Sequence, residues 1–291
     1  MEKKMNLVVF DIGGTSVKYG LYQDGSIEKK SSFATPKTWD EMKENLYQVF
    51  KELSDADTKG VAISSPGAVD TEEGVIKGLS AIPYIHRFKI VDELEALFGL
   101  PVAIENDANC AGLAESKFGI GQDSKNALYF IIGSGIGGAV CQNGQLYKGS
   151  SLFGGEFGYM IIENGKTLST LASPVQVADR YAKAHGLTDF SGKDLFDLAD
   201  NGNEEAKAAL AGLYDALATG IFNCLVSFNP DLVGIGGGIS VRPDLVSELD
   251  KRIQKLIHDT EANELTYELK ICQFKNDANL LGAVSNFLNT K

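Results

Sequence analysis

The stretch LVVFDIGGTSVKYGLY, Leu7 to Tyr22, decides the fold because it has the pattern of a strand, a glycine turn and a returning strand. Leu7 to Phe10 is a continuous apolar run, and Val17 to Tyr22 is its predicted hairpin partner. Gly13 and Gly14 lie between them and suit backbone positions that need a positive φ. The sequence therefore predicts a β-hairpin here, whether or not its turn binds a ligand.

The same arrangement returns later in the chain. Ala127 to Ile132 predicts a strand, Gly133 to Gly138 a second glycine turn, and Ala139 to Cys141 a returning strand. A third cluster, Gly236 to Gly238, follows the apolar run Leu232 to Ile235. Strands that alternate with helices indicate an α/β protein, and the repeated strand–turn–strand pattern predicts two related halves.

The composition is that of a soluble globular protein. Of 291 residues, 44% are hydrophobic and 23% are charged, and the formal net charge is −12. This charge, without any Lys/Arg-rich run, argues against nucleic-acid or membrane partners. The four cysteines are scattered and form no CxxC pair, which disfavours disulfides and a structural zinc site. No signal-peptide pattern precedes the first strand, so we expect a cytoplasmic protein.

The first glycine turn is a candidate phosphate site. Gly13 and Gly14 let backbone N–H groups approach a polyphosphate, and Thr15 adds a hydroxyl donor, with Lys18 just beyond. Asp11 would repel phosphates unless a cation intervenes, so we expect it to reach Mg²⁺, directly or through water. The alternative is a plain hairpin turn.

The second turn has a GxGxxG-like spacing, but a strand follows it where a dinucleotide site would have a helix. It also lacks the Gly-Lys-Ser/Thr of a P-loop. Its candidate phosphate-binding residues are Gly133, Ser134, Gly135, Gly137 and Gly138. Adenosine could lie against the bare backbone of Gly236, Gly237 and Gly238, for which tight strand–helix packing is the alternative.

The segment IENDANC, Ile104 to Cys110, places short polar side chains directly after a predicted strand. Ligands of open α/β sheets bind beyond the carboxyl ends of strands. Phosphoryl transfer to an alcohol needs a carboxylate that orients the hydroxyl and accepts its proton, which is the predicted role of Asp107. Asn106 offers a donor and an acceptor to a sugar hydroxyl. Capping of the following helix is the alternative role for this pair.

Taken together, these segments resemble the ROK family of bacterial sugar kinases. The resemblance is carried by five segments, Asp11–Thr15, Glu105–Cys110, Gly133–Gly138, Gly155–Gly158 and Gly236–Ser240. It implies a two-domain actin-like (ribonuclease-H-like) α/β fold with a cleft between the domains, and ATP with Mg²⁺ as the phosphate source. We expect a small domain of residues 1–107, completed by a C-terminal helix 278–291, and a large domain of residues 108–277.

The resemblance also implies the roles of individual residues. Asp107 would be the base, Asn106 and Glu156 would hold sugar hydroxyls, and Gly67 would belong to the substrate side. The turns at Asp11 and Gly133 would hold phosphates and the third cluster the adenosine. A sugar would be the small-molecule partner, and a homodimer is expected by analogy.

The chain departs from the family pattern where many members bind zinc. Tyr159 stands in the position of a zinc-ligating histidine, and no cysteine occurs between Glu156 and Ser173. We therefore expect no zinc. Ser169 falls where a second sugar-binding glutamate would lie. Tyr159 faces the substrate in this interpretation, and a core tyrosine is the alternative.

This zinc-less pattern resembles bacterial β-glucoside kinases, which phosphorylate the 6-hydroxyl of cellobiose-type disaccharides. A glucokinase or an N-acetylmannosamine kinase of the same family is the alternative. A sugar-sensing repressor of the family is disfavoured, since only ten residues precede Asp11 and leave no room for a DNA-binding helix-turn-helix.

Overall fold

The computed structural model describes residues 5–290, and its first five-stranded sheet contains the opening hairpin. The strand order is β3-β2-β1-β4-β7. The three amino-terminal strands are antiparallel neighbours, whereas β4 and β7 run parallel to β1. The strand bounds are β1 Asn6–Ile12, β2 Ser16–Gln23, β3 Ser26–Ala34, β4 Thr58–Ser65, β5 Ala68–Asp70, β6 Val75–Lys77 and β7 Val102–Asn106.

A second five-stranded sheet repeats this order as β10-β9-β8-β13-β14. Again two antiparallel pairs are followed by two parallel ones. The remaining strands are β8 Asn126–Ile132, β9 Ile136–Gln142, β10 Gln145–Leu146, β11 Ile161–Glu163, β12 Lys166–Thr167, β13 Leu232–Gly237 and β14 Glu268–Ile271. The prediction of two related halves thus extends to strand order and direction.

Nine α-helices lie in the described residues. They are α1 Trp39–Leu53, α2 Ile90–Phe98, α3 Asp107–Phe118, α4 Leu168–Ala172, α5 Pro174–His185, α6 Gly192–Asp200, α7 Glu204–Phe228, α8 Leu245–Asp259 and α9 Ala278–Thr290. Helix α1 begins at an N-cap, Thr38, whose side chain accepts from the Glu41 amide, and it buries Met42 and Leu46. Helical spacing of apolar residues and local capping therefore account for this element.

The chain divides into two compact units. Unit one contains the chain as far as Gly119, the segment Lys148–Phe153, and the chain from Phe274 onward. Unit two contains Ile120–Tyr147 and Gly154–Gln273. Helix α3 therefore groups with unit one, as does α9. The predicted domain ranges, 1–107 with 278–291 and 108–277, stay a prediction.

Each unit has its own apolar core. In unit one, α1 and α2 cover one face of the sheet, and α3 with α9 cover the other. In unit two the largest cluster joins the sheet to α4 through α8. Within the described residues, α7 is long and apolar enough to cross a membrane by length and composition alone, but 56% of its apolar window is buried. A core helix passes the same test.

Candidate active site

The parallel strands of unit one end at a common edge, which brings the predicted catalytic residues together. Asp11 lies near the end of β1, Ser64 and Ser65 end β4, and Asn106 ends β7. The edge that Asp11, Ser64 and Asn106 share is the place where open α/β sheets bind ligands.

Asp11 is 6% exposed and has two neutral hydrogen-bond donors. Its Oδ1 accepts from Ser64 Oγ at 2.9 Å and from Asn279 Nδ2 at 3.0 Å. Its Oδ2 lies 3.8 Å from the Nζ of Lys18, whose side chain is 45% exposed. The carboxylate is therefore held through one oxygen, and the other oxygen is the one that can reach a cation.

Asn106, rather than Asp107, is the N-cap of α3. Its Oδ1 accepts from the Asn109 amide at 3.1 Å, and its Nδ2 donates to the Gly67 carbonyl at 3.0 Å. Gly67 has φ +102, a conformation that favours glycine, and a Cβ there would meet His86 and Ile76. The capping alternative thus applies to Asn106 and leaves Asp107 in the first turn.

Asp107 is partly buried, and its Oδ1 accepts from the Ala108 amide at 2.8 Å. Burial raises the pKa of Asp107 above its usual range, and the negative charge of Asp11 raises it further. A carboxylate with a raised pKa at a helix N-terminus can accept a proton from an alcohol more readily than an exposed aspartate can.

Unit two brings the second and third glycine clusters to one cavity of about 540 Å³. Its wall includes Gly133 at the end of β8 and Gly238 after β13, with Pro174 from α5 and Phe196 from α6. A Cβ added at Gly133 or at Gly238 would meet no atom within 4 Å, so the backbone at both positions is open. The Gly133 amide donates to the Gly135 carbonyl at 2.9 Å, so what this wall offers is glycine backbone without side chains. A mostly apolar cavity with such a wall suits a nucleoside.

The predicted glycines do not all face this cavity. Gly236 is buried against Ile131 and Cys272, and Gly138 is buried against Phe157. Their role in the structure is close packing, the alternative raised for the third cluster. Sequence reasoning also missed Ser173, which donates to the carbonyls of Gly133 and Ser134 and fixes the second turn.

The segment that follows Gly155 carries the predicted sugar-side residues of unit two. Phe157 is buried and stacks on Phe130, with ring centroids 4.3 Å apart. Glu156 is partly exposed and Tyr159 is 67% exposed, so the core-tyrosine alternative is wrong. The described residues contain no group of three or more His, Cys, Asp or Glu placed to hold a metal ion.

Ser169 has a definite partner inside unit two. Its Oγ accepts from the amide of Ile136, the first residue of β9, at 2.9 Å. A Cβ at Gly158 would lie 2.3 Å from the same Oγ. The hydroxyl therefore braces the turn, and its predicted contact with a sugar stays a prediction.

Two sheets of the same strand order, a carboxylate edge in unit one and a glycine-walled cavity in unit two fit the actin-like fold that the sequence predicts. The family comparison agrees, because the ROK family profile matches residues 7–289, and the chain belongs to the ROK family. The predicted family, two-domain fold and carbohydrate-kinase class are confirmed.

Individual relatives cover nearly the whole chain. A β-glucoside kinase from Listeria monocytogenes is 36% identical over 98% of both chains. A glucokinase from Thermotoga maritima is 31% identical over 97% of both. The crystal structure of a ROK family protein from Streptococcus pneumoniae in complex with sucrose has a TM-score of 0.90, with 35% identity and 98% coverage of both chains.

Proposed function

We propose that this chain transfers the γ-phosphate of ATP to the 6-hydroxyl of a glucose-configured sugar that carries a substituent on C1. The observation that carries this proposal is the first turn of α3. There a partly buried Asp107 with a raised pKa follows Asn106, whose amide is fixed on the Gly67 carbonyl. A sugar hydroxyl that binds beside Asn106 and Gly67 would lie next to Asp107, the proposed base.

Asp107 accepts the proton of the 6-hydroxyl as the sugar oxygen bonds to the γ-phosphorus. The bond from that phosphorus to the bridging oxygen breaks, and ADP departs with its electron pair. Asp11 fits a magnesium site because both neutral donors bind its Oδ1 and leave Oδ2 to face a cation, and bound Mg²⁺ would neutralise charge on the phosphates. Thr15, Lys18 and the backbone of the first glycine turn serve the same phosphates, although the Gly13 amide donates to the Ser16 carbonyl at 3.0 Å. In unit two the cavity beside Gly238 takes the adenosine.

Sugar selectivity belongs to Asn106, Glu156 and Tyr159 in this proposal. The exposed ring of Tyr159 offers an apolar face on which a second sugar ring can stack. The β-glucoside kinase similarity supports a disaccharide, and the glucokinase similarity supports the alternative of free glucose. A homodimer and a cytoplasmic location stay predictions, and no zinc is assigned to the chain.

The experiment is a coupled assay of ADP release with cellobiose, gentiobiose, glucose and N-acetylmannosamine, with phosphorus NMR of the product. We expect sugar-dependent release, a phosphate on C6 and the largest kcat/KM for a β-disaccharide. A monosaccharide preference of about tenfold, about 1.4 kcal/mol, would remove the β-glucoside assignment. ATP hydrolysis that is independent of sugar would remove the kinase assignment as well.

A further inference from the structure

A buried ion pair lies next to Asn106 in unit one and has no role in the proposed mechanism. Glu105 is 1% exposed, and its Oε2 lies 2.8 Å from the Nζ of Lys148. The side chain of Lys148 is 15% exposed. Opposite charges that are shielded from water interact more strongly than a surface pair does.

The other oxygen of Glu105 holds the first turn of α3. Its Oε1 accepts from the Asn106 amide at 2.7 Å and from Asn109 Nδ2 at 3.1 Å. Asp107 lies in the chain between these two residues. The orientation of the Glu105 carboxylate therefore sets the backbone from which Asp107 projects.

Lys148 makes a second bond, to the carbonyl of Val69 at 2.6 Å. Val69 follows Gly67 by two residues, and the Gly67 carbonyl accepts from the Asn106 side chain. One ammonium group thus joins the two segments that hold Asn106, the end of β7 and the start of β5. Lys148 also opens the segment Lys148–Phe153, which groups with unit one although both flanks group with unit two.

We propose that Lys148 is a positioning residue for phosphoryl transfer, which fixes Asn106 and Asp107 through Glu105 and Val69. The inference rests on the proposed function, since it takes Asp107 as the base. Loss of this ammonium lets the two segments shift. A shift of about 1 Å at a reacting group can lower the rate about 100-fold.

The test is steady-state kinetics of Lys148→Met and Lys148→Arg, with sugar and ATP varied separately. We expect kcat of Lys148→Met to fall about 10- to 100-fold and the sugar KM to rise, with the ATP KM within about twofold. Lys148→Arg keeps the charge and the donors, and it should recover most of the activity. Lys77→Met is the matched control, because Lys77 pairs with Asp70 at 2.7 Å on the exposed side of the β5–β6 hairpin.

A double-mutant cycle tests whether the effect passes through Glu105. Lys148→Met should cost less than about threefold in kcat when it is added to Glu105→Gln. The proposal would be overturned if the two substitutions had fully additive effects on kcat. It would also be overturned if Lys148→Met kept the wild-type kcat and sugar KM. If Lys148→Met does not fold, Lys148→Gln replaces it. If neither Lys148 variant folds while Lys77→Met does, Lys148 has a structural role only, and the proposal is overturned as well.

Failure of the proposed function gives a different result. Wild-type turnover in Asp107→Asn would remove Asp107 as the base, whatever Lys148 does. An inactive Asp107→Asn beside a fully active Lys148→Met would remove only the positioning role.

Discussion

The two glycine turns occupy the same place in two sheets of the same strand order, yet their flanking residues differ in charge. In each hairpin, consider the facing residue pair that is second from the turn. It is Asp11 with Lys18 in the first sheet and Ile131 with Gly137 in the second. The residue pair next to the turn is apolar in both hairpins, Ile12 with Val17 and Ile132 with Ile136. The duplicated sheet fixes where backbone amides are presented, and the neighbouring side chains decide what each turn can bind.

In the proposed function, this difference gives the charged edge of unit one and the cavity of unit two different tasks. Unit one gathers charges at its edge, and changes there should act on kcat. Unit two offers open backbone and an apolar cavity of about 540 Å³, and changes there should act on the KM of ATP.

The largest effect is expected for Asp107→Asn. The amide keeps the size of the side chain but cannot accept the proton, so kcat should fall about 10²- to 10⁴-fold with sugar binding largely retained. Rapid-quench or coupled kinetics with calorimetric sugar titration measures both quantities. Asp92→Asn is the control, because Asp92 is an exposed aspartate in the first turn of α2.

The same variant should be more stable than the wild type. Burial raises the pKa of Asp107, so between the unfolded and folded pKa values the folded state binds more protons, and stability falls as pH rises. At neutral pH the charged carboxylate therefore destabilises the fold, and a neutral amide relieves this. A higher melting temperature at pH 7, with the gain fading in acid, is the expected result. Undiminished turnover would contradict the catalytic role.

Asp11→Asn comes second. The variant keeps an oxygen for Ser64 and Asn279 but replaces the cation-facing Oδ2 by a donor, so kcat at limiting Mg²⁺ should fall about 100-fold. Rates measured against Mg²⁺ and ATP concentration give the result. Asp277→Asn is the control, since Asp277 is an exposed partner of Lys30 at 2.9 Å. A loss of sugar affinity with normal ATP kinetics would place Asp11 on the sugar side.

The sequence predicted those parts of the fold that depend on local pattern. Continuous apolar runs beside glycine turns predicted β1, β2, β8 and β9, because buried hairpins need both features. Strand β3 was missed, since seven of its nine residues are exposed and an edge strand of this kind has no periodic apolar signal.

The sequence predicted only those site residues that lie together in one short segment. IENDANC identified Asn106 and Asp107, but an Asn-Asp pair alone does not say which residue caps the helix. Lys148 gave no signal, because a single lysine has no spacing to read. Ser173 before Pro174 is typical of a helix N-cap, which it is, but that pattern does not predict its bonds to the second turn. Their roles depend on long-range contacts, Lys148 with Glu105 and Ser173 with Gly133.

Gly238→Ala is expected to have a moderate effect that is confined to ATP. A Cβ there meets no atom within 4 Å, so the fold should be unchanged while the methyl group projects toward the nucleotide cavity. The ATP KM should rise about three- to tenfold, up to about 1.4 kcal/mol, with the sugar KM unchanged. Gly237→Ala is the contrasting variant, because Gly237 has φ +85 and its Cβ would lie 2.1 Å from the Ile132 carbonyl oxygen. That variant should lose stability instead, and an unchanged ATP KM in Gly238→Ala would remove the third cluster from the nucleotide site.

The smallest effect is expected for Ser169→Ala, and it decides which side of the site this hydroxyl serves. Ser169 Oγ accepts from the Ile136 amide at 2.9 Å, so its loss leaves a backbone donor unpaired beside the second turn. One such bond contributes about 0.5–1.5 kcal/mol to stability. Each kcal/mol that is lost should lower the melting temperature by about 2–4 °C.

If Ser169 braces the turn, the ATP KM of the alanine variant should rise slightly, up to about threefold, while the sugar KM stays within about twofold of the wild type. Ser173→Ala provides the matched comparison, because Ser173 donates to the carbonyls of Gly133 and Ser134 in the same turn and should give the same signature. A sugar KM that rises in Ser169→Ala alone, without a change in the ATP KM, would instead place the hydroxyl on the sugar. The second turn would then share in acceptor recognition, and the division of tasks between the charged turn and the neutral one would no longer hold.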